Sequence, residues 1–225
     1  MLVKDWMSKT VITVDVDDSM QDAVKLLKDH DIRMLPVLKK GSLAGVITDR
    51  DLKRASASDA TTLEIHELLY LVSNIKVREV MTPNPVTVPF DYTVEETAQI
   101  LLKNKISGVP VVDVAGNVVG TITQDDLFKV IISLTGVDQK GIQLALQIED
   151  QPGSITKTID IIRKHDGRIM SVLSSKEHAP ERFRRIYIRT YNIDREQLEA
   201  LKVVLMENTQ LLYVVDHRES SRMIF

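Results

Sequence analysis

Two short stretches carry side chains that could grip a ligand. GVITDRDL, residues 45–52, places Thr48 three residues before Asp51, and GTITQDDL, residues 120–127, places Thr123 three residues before Asp126. The simplest chemistry of Thr-x-x-Asp is a capping box, in which the hydroxyl accepts from the third helical amide and the acid reaches back to the first. The same [ST]-x-x-[DE] spacing occurs at Ser19, Thr61 and Thr93, where nothing beyond capping is expected. Gly45 and Gly120 each stand three residues upstream, so a strand would run through a slim residue into a helix N-terminus. Free amides there attract anions such as phosphate. A carboxylate beside them can accept both hydroxyls of a ribose, while the threonine hydroxyl donates to ligand oxygen.

These corners belong to a duplication. VKDWMSKTVITVDVDDSMQDAVKLLKDHDIRMLPVL aligns without a gap on VREVMTPNPVTVPFDYTVEETAQILLKNKISGVPVV at an offset of 74, and the two Thr-x-x-Asp stretches then align at 75. Each copy reads as strand, helix, strand, strand, helix. Val11 to Val14 and Val86 to Val88 are β-branched runs, while Met20, Val24, Leu27 and Val94, Ala98, Leu101 recur as helical core faces. Ser19-x-x-Asp22 and Thr93-x-x-Glu96 open those helices. MLPVLKKGSLAGVIT and GVPVVDVAGNVVGTIT supply hairpins around glycine-containing turns. A unit of about 60 residues has a marginal core, so two copies packed face to face are expected. Between them, ASASDATTLEIHELLYLVSNI predicts a linker helix over 58–75, in which His66 and Tyr70 are solvated or packing residues.

The last third follows another pattern. GIQLALQIE alternates as a strand, DQPGS is a turn, and SITKTIDIIRKHDG carries the apolar stripe Ile155, Ile159, Ile162. RIMSVLSS, RRIYIRTY, a helix from Asp194 to Met206 and QLLYVVD complete a βαββαβ order, the ferredoxin-like arrangement. The tail HRESSRMIF predicts no element. The expected fold class is α+β, with βαββα repeats over 1–57 and 76–135, the βαββαβ unit over 139–217 and a tail over 218–225.

Composition narrows the function. With 225 residues, 44% hydrophobic and 27% charged, the chain reads as an ordinary globular protein. Cysteine is absent, which excludes disulfides, thiolate metal sites and cysteine nucleophiles. The N-terminus lacks a signal-peptide core, and no stretch approaches the ~18 apolar residues of a membrane span. A cytoplasmic protein without a membrane partner is expected. The net charge of −3 and the lack of a helix-turn-helix pattern argue against nucleic acid. The histidines, His30, His66, His165, His178 and His217, show no metal-ligand spacing. Neither G-x-x-x-x-G-K-[ST] nor G-x-S-x-G occurs. Asp17/Asp18 and Asp125/Asp126 read as solvated caps. No catalytic residue, metal or cofactor is assigned, and the protein is not expected to be an enzyme.

The duplicated V-x-D/E-V/W-M, h-P-V and G-h-h-T-x-x-D elements resemble a tandem pair of cystathionine-β-synthase (CBS) domains over residues 1 to about 134. The resemblance implies an adenosine ligand (AMP, ADP, ATP or S-adenosylmethionine) in clefts between the copies, bound as a regulator. It implies a first cleft of Thr48 and Asp51 with Thr82, Val86, Ile106, Ser107, Gly108 and Val109. The second would use Thr123 and Asp126 with Ser8, Ile12, Ile32, Arg33, Met34 and Leu35. Arg50 and Lys53 are placed toward phosphates of the first, whereas Gln124 and Asp125 raise the cost of a polyphosphate in the second.

EDQPGSI, followed by βαββαβ order, resembles the D-x-P-G-x-L signature of ACT domains. That resemblance implies pairing through sheets and an amino acid at Asp150, Gln151, Pro152, Gly153 and Ser154, or dimerisation alone. The order CBS, CBS, ACT, with ATTLEIHELLYLVSNIKVREVM between the copies, resembles the acetoin-utilization family, linked to acetoin or butanediol catabolism. A regulatory homodimer acting on an unidentified partner enzyme is the leading expectation. A ligand-independent dimerising adaptor is the alternative, with an enzyme of acetoin catabolism ranked below both.

Overall fold

The computed structural model describes residues 1–59 and 74–225, in two compact units, Met1–Phe128 and Lys129–Phe225. Most of the expected linker helix, with Thr61, Glu64, His66 and Tyr70, lies outside the described residues.

The first copy runs through a short 3₁₀ turn (Val3–Asp5), β1 (Val14–Asp15), α1 (Met20–Asp29), β2 (Met34–Lys39), β3 (Ser42–Thr48) and α2 (Asp49–Asp59). The second runs through α3 (Val77–Val80), β4 (Thr82–Pro83), β5 (Val88–Pro89), α4 (Val94–Asn104), β6 (Gly108–Val112), β7 (Val118–Thr123) and α5 (Gln124–Thr135). Strands β1 and β5 pair parallel to β2 and β6 over two residues each, Val14 opposite Val37 and Val88 opposite Val111. They start later than the β-branched runs suggest, because only the last residues of each run meet a partner strand. Ser19 and Thr93 cap α1 and α4 in full capping boxes with Asp22 and Glu96. Beneath them Met20, Ala23 and Leu27 in one copy, and Val94 and Leu101 in the other, enter the core. Fully burying each large apolar side chain contributes about 1.5–3 kcal/mol.

The copies exchange their leading segments. Val3 and Lys4 amides donate to the carbonyls of Tyr92 and Phe90, whereas Val77 and Arg78 donate to Asp18 and Val16. Val77 is fully buried within the first copy's cluster, against which Ile75, Val80 and Met81 also pack. The next residues continue the exchange. Thr82 and Pro83 pair antiparallel with Val46 and Gly45, and Ser8 forms the matching antiparallel bridge to Thr121.

Gly45 and Gly120 explain how this crossing fits. A Cβ at Gly45 would lie 2.6 Å from the Met81 sulfur and 2.8 Å from the Thr82 carbonyl oxygen. At Gly120 it would lie 2.5 Å from the Met7 sulfur and 2.8 Å from the Ser8 carbonyl oxygen. The slim residue anticipated upstream of each corner therefore admits the backbone of the other copy, and its absence of a side chain is used in packing.

The second unit contains β8 (Ile142–Glu149), α6 (Ser154–Lys164), β9 (Arg168–Ser175), β10 (Phe183–Tyr191), α7 (Arg195–Asn208), β11 (Gln210–Asp216) and β12 (Ser221–Ile224). Its sheet runs β12-β11-β8-β10-β9, antiparallel throughout. Leu144, Leu146, Ile186, Ile188 and Val214 on the sheet meet Ile162, Leu198, Leu201 and Leu205 of the helices in one core. The last strand corrects the expectation of an unstructured tail: Ser221–Ile224 folds back on β11, with Met223 opposite Val214. Four residues are too few for an alternation to register, and the reversal is made by a local turn with Ser220 at φ 54°.

A buried cation closes the end of α5. Arg189, 4% exposed, donates from Nε to the Thr135 carbonyl at 2.7 Å and from Nη1 to the Lys140 carbonyl at 2.9 Å. Burial lowers its pKa from the ordinary arginine value. Its charge is directed at carbonyls left without a helical partner at a C-terminus.

Candidate functional site

Thr48 and Asp51 occupy the junction of β3 and α2. The Thr48 amide donates to Asp51 Oδ2 at 3.0 Å and its hydroxyl to the same oxygen at 2.6 Å, while the Asp51 amide donates back to Thr48 Oγ1 at 3.3 Å. Thr123 and Asp126 repeat this at the start of α5, at 2.9, 2.8 and 3.4 Å. Both corners are half-buried. They are caps by geometry, and at Asp51 the cap engages one carboxylate oxygen among the described residues. The second oxygen of a carboxylate can still accept two hydrogen bonds, so capping and ligand binding use different atoms of the same group.

Strand register sets which backbone lies beside each corner. Met34 stands opposite Thr48, and the Arg33 carbonyl accepts from the Asp49 amide at 3.3 Å. Gly108 stands opposite Thr123, and the Ser107 carbonyl accepts from the Gln124 amide at 2.9 Å. The backbone that opens β2 therefore neighbours the first corner, and the backbone that opens β6 neighbours the second. The physical reason is the hairpin, which returns each copy's own first strand end to its own corner. Thr82 and Ser8 cross to Val46 and Thr121, two residues before Thr48 and Thr123.

Several expected contacts are spent on packing. Leu35 and Val109 are 0% and 1% exposed, so only their backbone could face a ligand. Ile12 and Ile32 pack against the first copy's core, and the Gln124 side-chain amide donates to the Ile106 carbonyl at 3.4 Å. Val86 is 37% exposed. Lys53, placed toward phosphates from the sequence, pairs at 3.4 Å with Asp49 on the same helix.

The two copies that carry these corners are matched by the family model described as CBS domain, over residues 3–58 and 77–133. The chain belongs to the CBS-domain family. A CBS domain-containing protein of Dictyostelium discoideum, DDB_G0289609, is 35% identical over 134 residues, covering 59% of this chain and 92% of the relative. The CBS domain-containing protein YhcV of Bacillus subtilis is 31% identical over 125 residues, covering 56% and 81%. Among solved structures, the CBS domain pair of protein MJ0100 in complex with 5′-methylthioadenosine and S-adenosyl-L-methionine is similar at 35% identity. Its TM-score is 0.51, and the match covers 58% of this chain and 95% of that one. These matches span the CBS pair.

The C-terminal turn is built differently. Asp150 accepts from Lys176 Nζ at 2.6 Å on Oδ2, and its Oδ1 lies 2.7 Å from Arg184 Nε. The Lys176 hydrogen bond and the Arg184 charge hold this carboxyl below the usual range. Gln151 donates to Glu149 at 2.6 Å, and Ser154 donates its amide to the Gln151 carbonyl at 3.2 Å. Gly153 adopts φ 87° in open space, with nothing within 4 Å of a would-be Cβ. Pro152 is exposed beside it. Among the described residues, no cluster of three or more His, Cys, Asp or Glu side chains could hold a metal ion. Likewise no helix there is long and apolar enough to cross a membrane.

Proposed function

We propose that this CBS pair is a regulatory sensor of adenosine ligands, AMP, ADP, ATP or S-adenosylmethionine, and not an enzyme. The observation that carries the reading is the Asp51 carboxylate. The cap fixes it through Oδ2, and it stands where the neighbouring copy's Thr82 segment crosses β3. A fixed carboxylate with a second oxygen to offer is suited to paired ribose hydroxyls, and the α2 amides beside it are suited to an anion. The similar MJ0100 pair carries 5′-methylthioadenosine and S-adenosyl-L-methionine, which supports the ligand class. The proposed contacts are Thr48 and Asp51 with Thr82, Ser107 and Gly108 in the first cleft, and Thr123 and Asp126 with Ser8, Arg33 and Met34 in the second. A ligand that prefers one setting of the two copies then shifts that setting, which is the regulatory output.

The C-terminal unit is proposed to be an ACT-like module. With Asp150 committed to Lys176 and Arg184, an amino acid at this turn would be met by the backbone amides of Gln151 and Gly153. The exposed apolar residues Phe128, Ile131 and Ile132 on α5 support a homodimer. The module order and inter-repeat segment support acetoin or butanediol catabolism as the regulated pathway, through a partner enzyme. Calorimetric titration with AMP, ADP, ATP and S-adenosylmethionine tests the sensor reading. Saturable heat that Asp51→Ala reduces is expected, and no heat from folded protein with any of the four would remove it.

A further inference from the structure

The C-terminal unit holds a cleft that neither the CBS corners nor the Asp150 turn uses. Its volume is about 560 Å³, within the range of small-molecule sites. Four chain segments line it: Asp166 and Arg168 where α6 passes into β9, Asn192 and Asp194 between β10 and α7, Gln197 in the first turn of α7, and Arg218 beyond β11. Ile193, 1% exposed, anchors the β10–α7 segment in the core. Register places the cleft at the far end of the sheet from Asp150. Ile142, the first residue of β8, stands opposite Thr190 and Asp216, whereas Glu149, the last, stands opposite Phe183 beside the Asp150 turn. An eight-residue strand separates these ends by about 24 Å.

The walls are fixed by hydrogen bonds of their own. Arg218 donates Nε and Nη2 to Asp216 at 3.1 and 2.8 Å and Nη1 to the Ile193 carbonyl at 2.7 Å, so its charge is neutralised. Gln197 donates its side-chain amide to Asp166 Oδ2 at 2.7 Å and its backbone amide to Asp194 Oδ1 at 2.8 Å. One glutamine thus holds two carboxylates by one oxygen each, and the other oxygen of each can still accept. The Arg168 carbonyl accepts from Thr190 Oγ1 at 2.9 Å, which holds its backbone. Yet among the described residues the Arg168 guanidinium makes no ion pair, nor do Asp166 and Asp194. Opposite charges face one cleft without meeting.

We propose that this cleft binds a diamino acid, an α-amino acid whose side chain carries a second cation. The ligand carboxylate takes Arg168 through paired N–H donors, and its two ammonium groups take the free oxygens of Asp166 and Asp194. The charge count selects the class. One unpaired guanidinium and two unpaired carboxylates complement one negative and two positive groups, whereas a dicarboxylic amino acid would bring a second anion toward two acids. The site is separate from the adenosine corners and from the Asp150 turn, and depends on neither.

Calorimetry on the full chain with L-lysine tests this, with L-norleucine, which lacks the second cation, and cadaverine, which lacks the carboxylate, as comparators. Wild type should bind one lysine per chain, at least about 10-fold more tightly than either comparator, since each lacks one charge-assisted contact. Arg168→Gln and Asp166→Asn should each lose roughly 10–100-fold in lysine affinity. Asp166→Asn keeps an acceptor for Gln197, and thermal melts report that both variants are folded. Lysine that does not bind folded wild type, or that binds no better than norleucine and cadaverine, overturns the proposal. Lysine affinity unmoved by both variants overturns it too, because binding at the Asp150 turn would survive them.

Discussion

Asp51 and Asp150 both stand near the start of a helix, and both are fixed by hydrogen bonds. Yet their oxygens are used differently. Asp150 gives Oδ2 to Lys176 and Oδ1 to Arg184, so its charge is consumed in joining β8 to the β9–β10 hairpin. Asp51 accepts from the Thr48 amide and hydroxyl through Oδ2. The first arrangement closes a structure, whereas the second orients an acid and leaves it able to accept from something else. Sequence spacing does not separate these cases, because capping boxes at Ser19 and Thr93 have the form found at Thr48 and Thr123. The strands separate them: the Thr48 and Thr123 boxes end β3 and β7, whereas the Ser19 and Thr93 boxes follow two-residue strands and are themselves bridged by the other copy, at Lys76 and Leu2.

The strongest way to break that distinction is at the glycines. Gly45→Ala and Gly120→Ala would press a methyl group against a carbonyl oxygen at 2.8 Å, together with a methionine side chain. A backbone carbonyl cannot rotate away, so each should lower stability by about 1–3 kcal/mol, the usual cost of overpacking. Adenosine-ligand binding should weaken as the exchanged segment shifts. Gly153→Ala, in open space but at φ 87°, should cost about 1–2 kcal/mol through left-handed backbone strain alone and leave that binding unchanged. Denaturant unfolding alongside ligand titration reads both effects. If Gly45→Ala bound normally, the crossing would not shape the corner.

A smaller perturbation compares the acids directly. Asp51→Ala removes the capping acceptor for the Thr48 amide and hydroxyl, and should cost about 0.5–2 kcal/mol together with the first-corner ligand. Asp150→Ala should leave adenosine binding untouched and alter the acid response instead. Its folded pKa is depressed by Lys176 and Arg184, so its contribution is present above the unfolded value of about 3.9. That contribution disappears as pH falls through the folded value. Acid-unfolding curves of wild type and Asp150→Ala should therefore converge at the lowest pH. Parallel curves would mean that the two ion pairs do not contribute.

Much of the fold was readable because it is carried by periodicity and repetition. The offsets of 74 and 75, the stripe Met20–Val24–Leu27 and the order of the C-terminal strands all recur in the structure. What escaped was carried by pairing over one or two residues. Thr82–Pro83 and Ser8 have no alternation long enough to announce a strand, so the exchange was visible only as two glycines whose purpose was misread. The hairpin register, Met34 opposite Thr48, was legible in MLPVLKKGSLAGVIT, because its two strands are joined by a short turn through Lys40 and Gly41 at positive φ. Lys176 and Arg184 lie 26 and 34 residues from Asp150, too far for local spacing to connect them.

The gentlest probe lies in the C-terminal unit, at a group no site uses. His217 follows β11, its Nε2 is buried without a hydrogen-bond partner among the described residues, and its amide donates to the Gly141 carbonyl at 3.0 Å. Burial lowers its pKa first, the positive charges of Arg189 and Arg222 lower it further, and Asp216 opposes them. The unfolded chain therefore takes up this proton before the folded one does. Above about pH 6.5 both states are neutral here and stability is unaffected. As pH falls below that value, protonation favours the unfolded chain until the depressed folded pKa is reached. Thermal melts from pH 7.5 to 5.5 should show a falling midpoint in wild type and a flatter one in His217→Gln. Asp150 remains ionised throughout that range, which keeps the two titrations apart. Identical slopes would show that the imidazole is equally free to charge in both states, and the C-terminal sheet would then owe none of its pH response to His217.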